Sequence, residues 1–496
     1  MENKQLIEAA IKKCYEYLRE DKFMHAKVIG IQTTKVDPNC HDAYMILGIC
    51  FLKENNFSNA KKCFLKCLES DNLKESAYNN LSICYAKLLD HEKSINCIQK
   101  CILINPNKDF YWSHLGLQYR KINEQDKAND AFLNTLRLQR SPINLANYGA
   151  FLADNGNYKE AEKYFLESIK LDPEFYGPYV DLFHIYATEG KYNNKTWEFY
   201  EKRFETFEQL KWYKEKKIKP IKCISECVGK KCVIFCEQGL GDTLMFMRYL
   251  KELPKNLNYV LCCSKDTKKI FDVMGLKTIT SLKNKKFDCC ISLLSLPYIL
   301  KNKYIPNVYF PYKSEIKKFN NNIGICWCGS PSHAHDKHRS ISFLNFYSIF
   351  EKNNNFKIFS LVKNYSYRKY TETNEVVDLS KGVLEEDGLI DLSSNMKDIH
   401  KTIKNIIKNK ISLIITVDTM IAHLALNLGI ETWLLLSEKA DWRWGLKDKC
   451  EWYKSNLKIF RQSKLDDWDS VIQKVRECLL KHSLKNKKKY NKKIMT

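Results

Sequence analysis

A spacing of 34 residues runs through the first part of the chain, and no other feature limits the fold so tightly. Leu47, Leu81 and Leu115 stand 34 apart, and after one shorter step Tyr148 and Leu182 continue at the same interval. Thirteen positions past this mark comes a small residue each time: Ala26, Ala60, Ser94, Ala128 and Ala161. Glycine follows the mark as Gly48, Gly116 and Gly149, and proline closes three repeats at one phase as Pro38, Pro106 and Pro173. Small residues at fixed spacing let two helices approach closely, and proline cannot continue a helix. Units of this length each leave an apolar face that only a stacked neighbour covers.

The pattern resembles the tetratricopeptide repeat, a helix–turn–helix unit of about 34 residues. Five units and a less regular helical extension are expected over residues 1–210. Such solenoids present a concave groove that usually holds a peptide. Tyr78, Asn79 and Asn147 of the first helices are groove candidates; the bland alternative is ordinary helix surface.

The stretch 211–229, "KWYKEKKIKPIKCISECVG", is basic and broken by Pro220 and Gly229, and reads as a linker. Beyond it, short β-rich runs alternate with helical patterns: Cys232–Cys236, Tyr259–Cys263, Asp288–Leu293, Asn322–Trp327, Lys357–Val362, Ser412–Val417 and Thr432–Leu436. That alternation predicts an α/β domain with parallel strands. A break near 314–321 divides it into lobes over 230–313 and 314–480, followed by a basic tail over 481–496 that reads as a solvated, frayed terminus.

Composition narrows the function classes. At 496 residues and 44% hydrophobic the chain has ample material for cores in two or three domains. The formal charge of +23 is spread as lysine over every segment, and lysine lacks the bidentate geometry with which arginine reads phosphates and bases. A specific nucleic-acid partner is therefore not expected. The twenty cysteines contain no C-x-x-C pair and sit mostly in apolar runs, as buried thiols of a reducing, cytoplasmic compartment would. No apolar run approaches the length of a transmembrane segment, and no signal-peptide core opens the chain.

Three stretches lie where open α/β sheets bind ligands, at strand ends. "EQGLGDTLMFMRYL" opens with a Gly239–Leu240–Gly241–Asp242 turn between a strand and a helix; Leu244 stands where a dinucleotide fingerprint needs its third glycine. "IGICWCGSPSHAHDKHRSIS" carries Gly329, Ser330, His333, His335, Asp336, His338 and Arg339. "LIITVDTMIAHLALNLGIETWLLL" places Asp418 and Thr419 at a strand end, then His423 one turn into a helix whose first amides can take a phosphate.

Together with "KADWRWGLKDKCEWYKSNLKIFRQ", these stretches resemble glycosyltransferase family 9, the ADP-heptose:lipopolysaccharide heptosyltransferases and their relatives, in the form fused to tetratricopeptide repeats. The resemblance spans essentially the whole chain. It implies a GT-B architecture of two Rossmann-like lobes, the first short, with inverting, metal-independent chemistry and a nucleotide-diphosphate sugar as donor. By carry-over Asp242 is the general base; its other reading is a helix cap. Gly239, Gly241, Thr243, Arg339, Ser340, Asp418, Thr419 and His423 map to the donor site, Arg339 as the cation for the leaving diphosphate. His423 faces either the phosphate or the core. Trp442 and Trp444 read as packing residues, and Asp441 and Arg443 receive no role. The histidine-rich loop with His333, His335, Asp336 and His338 is the alternative place for a metal, against which the family's metal independence speaks. The shortness of the first lobe leaves the acceptor to the repeats, which points to a protein or peptide acceptor. The alternative function is a repeat-based scaffold with a non-catalytic transferase-like domain.

Overall fold

The computed structural model describes residues 2–207, 210, 212–301, 304–316, 318–330, 336–350, 356–362, 389–392, 396 and 398–494. The chain forms two compact units, Met1–Pro178 and Tyr179–Thr496.

Five helix pairs build the first unit: Glu2–Arg19 with Phe23–Val36, His41–Lys53 with Phe57–Cys67, Lys74–Lys87 with His91–Ile104, Asp109–Lys121 with Gln125–Leu138, and Pro142–Asp154 with Tyr158–Leu171. The periodic small residues Ala26, Ala60, Ser94, Ala128 and Ala161 are all fully buried. The periodic glycines explain themselves in the same way. A Cβ on Gly48 would lie 2.4 Å from the Phe64 ring, on Gly149 2.9 Å from Phe165, and on Gly116 3.0 Å from Phe132. Each glycine is a slot for the aromatic ring of the paired helix.

Gly48→Ala tests this slot. Alanine favours a helix interior by about 1 kcal/mol over glycine, but forcing a methyl into a packed core costs about 1–3 kcal/mol. Phe64 is fully buried, so its ring can yield only by displacing other core groups. We expect a net loss of up to about 2 kcal/mol in the unfolding of the repeats, followed by far-UV circular dichroism, with a gain contradicting the slot.

The second unit holds two sheets in which every paired strand is parallel. The first comprises β1 (Lys219–Pro220), β2 (Cys232–Phe235), β3 (Tyr259–Cys262), β4 (Thr278–Ile279) and β5 (Cys289–Ser292), in the order β1-β5-β2-β3-β4. The second comprises β6 (Asn322–Cys326), β7 (Lys357–Ser360), β8 (Leu389–Asp391), β9 (Leu413–Val417), β10 (Glu431–Leu436) and β11 (Leu457–Arg461), in the order β11-β10-β9-β6-β7-β8. Strand β9, "LIITV", is buried along its whole length, as a parallel strand covered on both faces must be. Trp327, Trp433, Val471 and Val475 anchor the core of this second sheet.

The strand order reverses once in each sheet, between β5 and β2 in the first and between β6 and β9 in the second. Such switch points open a crevice beyond the carboxyl ends of the strands. The segments that leave these ends carry Glu237–Asp242, Ser292–Ser295, Cys328–Gly329 and Asp418–Thr419.

Three expectations need correction. The repeat unit closes at Pro178, and helices Asn194–Glu201 and Arg203–Thr206 belong to the α/β unit, because their aromatic side chains pack there. The supposed linker 211–229 is folded: it supplies β1, pairs in parallel with β5, and buries Tyr213 and Ile218 against Val233, Phe235 and Cys290. Its basic charge masked that apolar face, and Pro220 is tolerated because β1 is an edge strand. Helix Trp468–Ile494 runs through the tail expected to fray, since lysine is a good helix former.

Candidate functional site

The opening turn owes its shape to two polar clusters. Gly239 caps the short helix Leu240–Phe246, and its N–H donates to Asp242 Oδ2 at 3.1 Å. Gln238, just before, holds φ +61°, a conformation uncommon for a residue with a side chain. Its amide is engaged at both ends: Nε2 donates to the Tyr200 hydroxyl at 2.8 Å, and Oε1 accepts from Arg443 Nη2 at 3.1 Å. The backbone strain is thus maintained by bonds from two other segments of the unit.

The first cluster is centred on Arg443. Its guanidinium binds Asp242 through Nη2 and Asp441 Oδ1 through Nη1 at 2.6 Å. The side chains of Arg443 and Asp242 are 13% and 12% exposed, so the pair is largely withdrawn from water. Burial raises the Asp242 carboxyl, while Arg443 and the Gly239 amide pull it down. Asp441 is held below the ordinary carboxylate range: burial pushes it up, but Arg443 outweighs this. Asp418, at the end of β9, is pushed up to about 6, by burial first and by the neighbouring Asp441 charge second. Two of these carboxylates bind the Arg443 cation directly, and Asp418 feels its charge from further away.

The second cluster lies deeper. Arg203 is fully buried and binds Glu237 through both Nη2 (2.5 Å) and Nε (3.3 Å), Glu201 Oε1 at 2.8 Å, the Tyr200 carbonyl at 3.0 Å and Ser295 Oγ at 2.8 Å. The Ser292 hydroxyl also donates to Glu237. Glu237 begins the turn, so this cluster ties the end of β2 to the end of β5.

The elements bearing the other candidate residues converge from the second sheet. Arg339 Nη1 donates to the Asp418 carbonyl at 3.2 Å and Nε donates to Asp336 at 3.3 Å. Its guanidinium lies over Gly329, where a Cβ would come within 2.4 Å. The Gly329 N–H donates to Ser340 Oγ at 3.0 Å, and Ser340 donates on to Asp336 at 3.0 Å. Thr419 caps helix Met420–Leu428 by accepting from Ile421 N–H at 3.3 Å, and lies 3.2 Å from the Thr416 hydroxyl.

His423 takes the core-facing position. It is 3% exposed, stacks on Trp444 with centroids 4.7 Å apart, and its Nδ1 is 3.0 Å from the Tyr453 hydroxyl. Burial, reinforced by Arg443, lowers its pKa to about 3, so the ring is neutral. A Cβ on Gly241 would meet His423 Cδ2 at 2.9 Å. Gly241 therefore permits the close approach of the two helices, which Asn427 secures by donating to the Leu244 carbonyl at 2.8 Å. Thr243 is buried on the same helix, with its hydroxyl donating to the Gly239 carbonyl at 3.3 Å.

The structure thus brings Asp242 to the Asp441–Arg443 segment and Arg339 to Asp418. His333 and His335 lie outside the described residues; of the same loop, Asp336 is engaged by Arg339 and Ser340, and His338 Nδ1 lies 3.1 Å from Asp466. Among the repeat residues, Asn147 donates to Ser113 Oγ at 3.2 Å, Tyr78 carries the Lys100 ammonium 5.5 Å from its ring centroid, and Asn79 is half-buried. Sequence reasoning missed Arg203, placed Glu237 at the start of the opening turn without a role, and gave Arg443 no role. The available signal was chemical: arginines next to aromatic residues in a chain that mostly uses lysine.

Comparison with known proteins identifies the first unit. The tetratricopeptide-repeat model matches residues 41–72, 75–108 and 144–175. Similar solved structures include MamA, at 22% identity over 32% of this chain and 94% of that one, with a TM-score of 0.30. Another is a thermophilic tetratricopeptide-repeat protein of Thermus thermophilus, at 16% identity over 36% and 96%, TM-score 0.31. A third is PilF of Pseudomonas aeruginosa, at 18% identity over 44% and 99%, TM-score 0.37. No curated protein matches the chain. Tetratricopeptide repeats form the N-terminal unit, and parallel sheets flanked by helices form the second. Among the described residues no helix is long and apolar enough to cross a membrane.

Proposed function

We propose that the α/β unit is a GT-B glycosyltransferase that moves a sugar from a nucleotide-diphosphate donor to an acceptor hydroxyl, with inversion and without a catalytic metal. The acceptor is a protein or peptide held by the repeats. The observation that carries this reading is the Asp242–Arg443 pair at the switch point of the first sheet, in a unit whose second sheet offers Asp418, Thr419 and Arg339 at its own switch point.

In this reading Asp242 removes the proton of the acceptor hydroxyl as that oxygen attacks the anomeric carbon. The bond from that carbon to the diphosphate breaks, and the leaving diphosphate departs with its electron pair. Arg339 and the first amides of helix Met420–Leu428 meet that charge. Arg443 keeps Asp242 anionic, and burial keeps the carboxylate basic, the two conditions a general base needs. Gly241 and His423 are positioning residues. The buried free thiols of the chain suit a reducing cytoplasm as its place of work.

One observation favours the alternative, a repeat scaffold with a non-catalytic transferase-like unit. Both Asp242 oxygens are already engaged, one by Arg443 and one by the Gly239 amide. The two readings part in a single experiment. ADP-, UDP-, GDP- and CMP-sugars are offered to the full chain and to Asp242→Asn, with thermal stabilisation and released nucleotide as readouts. The transferase reading expects one donor class to stabilise both proteins and turnover to fall about 10²–10⁴-fold in the variant. Failure of every donor to stabilise the wild type would leave the scaffold.

A further inference from the structure

Three thiols, two of them five residues apart and the third 57 positions further on, meet at the edge of the first sheet opposite Asp242. Cys232 opens β2 and Cys289 opens β5, and the two are direct partners across the parallel pair. Cys227 ends the single turn Ile224–Cys227 and reaches the same point, its sulfur 3.3 Å from that of Cys289. All three sulfurs lie within 4.8 Å of one another, and the three residues are no more than 1% exposed. None forms a disulfide.

We propose that Cys227, Cys232 and Cys289 form a structural site for one thiophilic metal ion of the Zn2+ or Cu+ class. Metal–thiolate bonds of about 2.3 Å set sulfurs about 3.7–4.0 Å apart, in tetrahedral or trigonal arrangement, and the observed triangle needs only small rotations to reach that spacing. Soft sulfur donors select these ions over hard ones such as Mg2+ or Ca2+. As thiols the three sulfurs can exchange only weak S–H contacts, such as the one between Cys227 and Cys289 at 3.3 Å. An ion instead turns them into a clip that fastens the turn to the starts of two neighbouring strands. Local spacing conceals the site, because its ligands come from a turn and two non-consecutive strands rather than from a C-x-x-C pair. The site is separate from the proposed transfer reaction, since parallel strands put their starts and their ends on opposite edges.

The test uses the full chain, purified anaerobically with a thiol-free reductant, stripped by chelator and reloaded with Zn2+ alone or Cu+ alone. One equivalent of one of these ions per chain is expected after desalting. Cys227→Ser, which spares both strands, should lose it, and Cys223→Ser, which changes a half-buried neighbour outside the triangle, should keep it. Cobalt(II) offered to the stripped wild type should give a thiolate charge-transfer band that is absent from Cys227→Ser. Hydrogen exchange over 219–235 should quicken when the ion is removed, while donor binding is unchanged. The proposal is overturned if neither ion is retained, or if Cys227→Ser retains it as well as the wild type. It is equally overturned if mass analysis of the native protein finds Cys227 and Cys289 joined as a disulfide.

Discussion

Arg203→Met will destabilise the α/β unit by about 3–5 kcal/mol, the range for removing one partner of a buried ion pair. The size follows from what remains behind. Glu237 is 5% exposed and receives two of its bonds from Arg203; Glu201 and Ser295 share the same guanidinium. Without the cation, Glu237 is a carboxylate in a site that offers it the Ser292 hydroxyl but no countercharge. Arg203→Lys keeps the charge and loses the planar fork, so its loss should be intermediate. Pairing Arg203→Met with Glu237→Gln should recover part of the deficit, because the Glu237 charge is gone while Glu201 still lacks its cation. Urea unfolding read by tryptophan fluorescence, with hydrogen exchange over 232–246 to localise the effect, measures all three variants against the wild type. A deficit below about 1 kcal/mol in Arg203→Met would remove the cluster from the account of how the opening turn is held.

Arg443→Gln will impair stability, and the loss will depend on pH. In the wild type, burial raises Asp242, and burial with the Asp441 charge raises Asp418 to about 6. A carboxyl with a raised folded value is ionised at a cost. That cost is nil below its unfolded value, about 3.9, and complete above the folded one. Arg443 limits the rise of both groups, so without it both move higher and stability falls more steeply as pH climbs. Asp441 adds to the same trend. Its folded value is depressed mainly by Arg443, against burial, so the stability it contributes is present above its unfolded value and vanishes with the arginine. The variant should therefore be about 2–3 kcal/mol less stable near pH 7.5 and close to wild type near pH 4, from paired denaturant titrations. A deficit that stays constant with pH would mean that Arg443 acts by packing on Trp442, over which its guanidinium lies at 4.5 Å, rather than by charge. Under the proposed transfer reaction, donor turnover should drop with the loss of an anionic Asp242, whereas donor binding should hold.

Much of the architecture could be read from the chain because its signals are local. The 34-residue ruler is written in small residues whose burial proved complete, and all seven runs read as strands appear as strands within a residue or two at their ends. The strands that escaped notice are of two kinds. Strands β1, β4 and β8 are two or three residues long and carry no period. Strand β11, "LKIFR", mixes charge with apolar residues because it lies at a sheet edge. The candidate site was half legible. Asp242, Asp418 and Thr419 stand at strand ends, where a local pattern reveals them. Arg203, Glu237 and Arg443 acquire their meaning chiefly from partners 34 to 205 positions away. His423 looked the same for a ligand-facing and a core-facing role until Gly241 and Trp444 were seen against it.

The order in which this chain is made sets one more condition. The helix that begins at the opening turn packs Phe246 on Trp452, and Arg248 of the following turn donates to the Trp452 carbonyl at 2.8 Å. Asp242 and its cation are 201 residues apart. At about 5–20 residues per second, a ribosome delivers Arg443 about 10–40 s after Asp242. For that interval the repeats can complete themselves from neighbours already synthesised, while the first sheet waits with its opening turn uncompensated. Pulse-labelled nascent chains should therefore show the repeats protease-resistant early and residues 232–250 protected only after the Trp452 segment has emerged. A nonsense codon just before Asp441 would strand a finished solenoid on an unfinished partner, a state in which chaperone capture is the natural outcome.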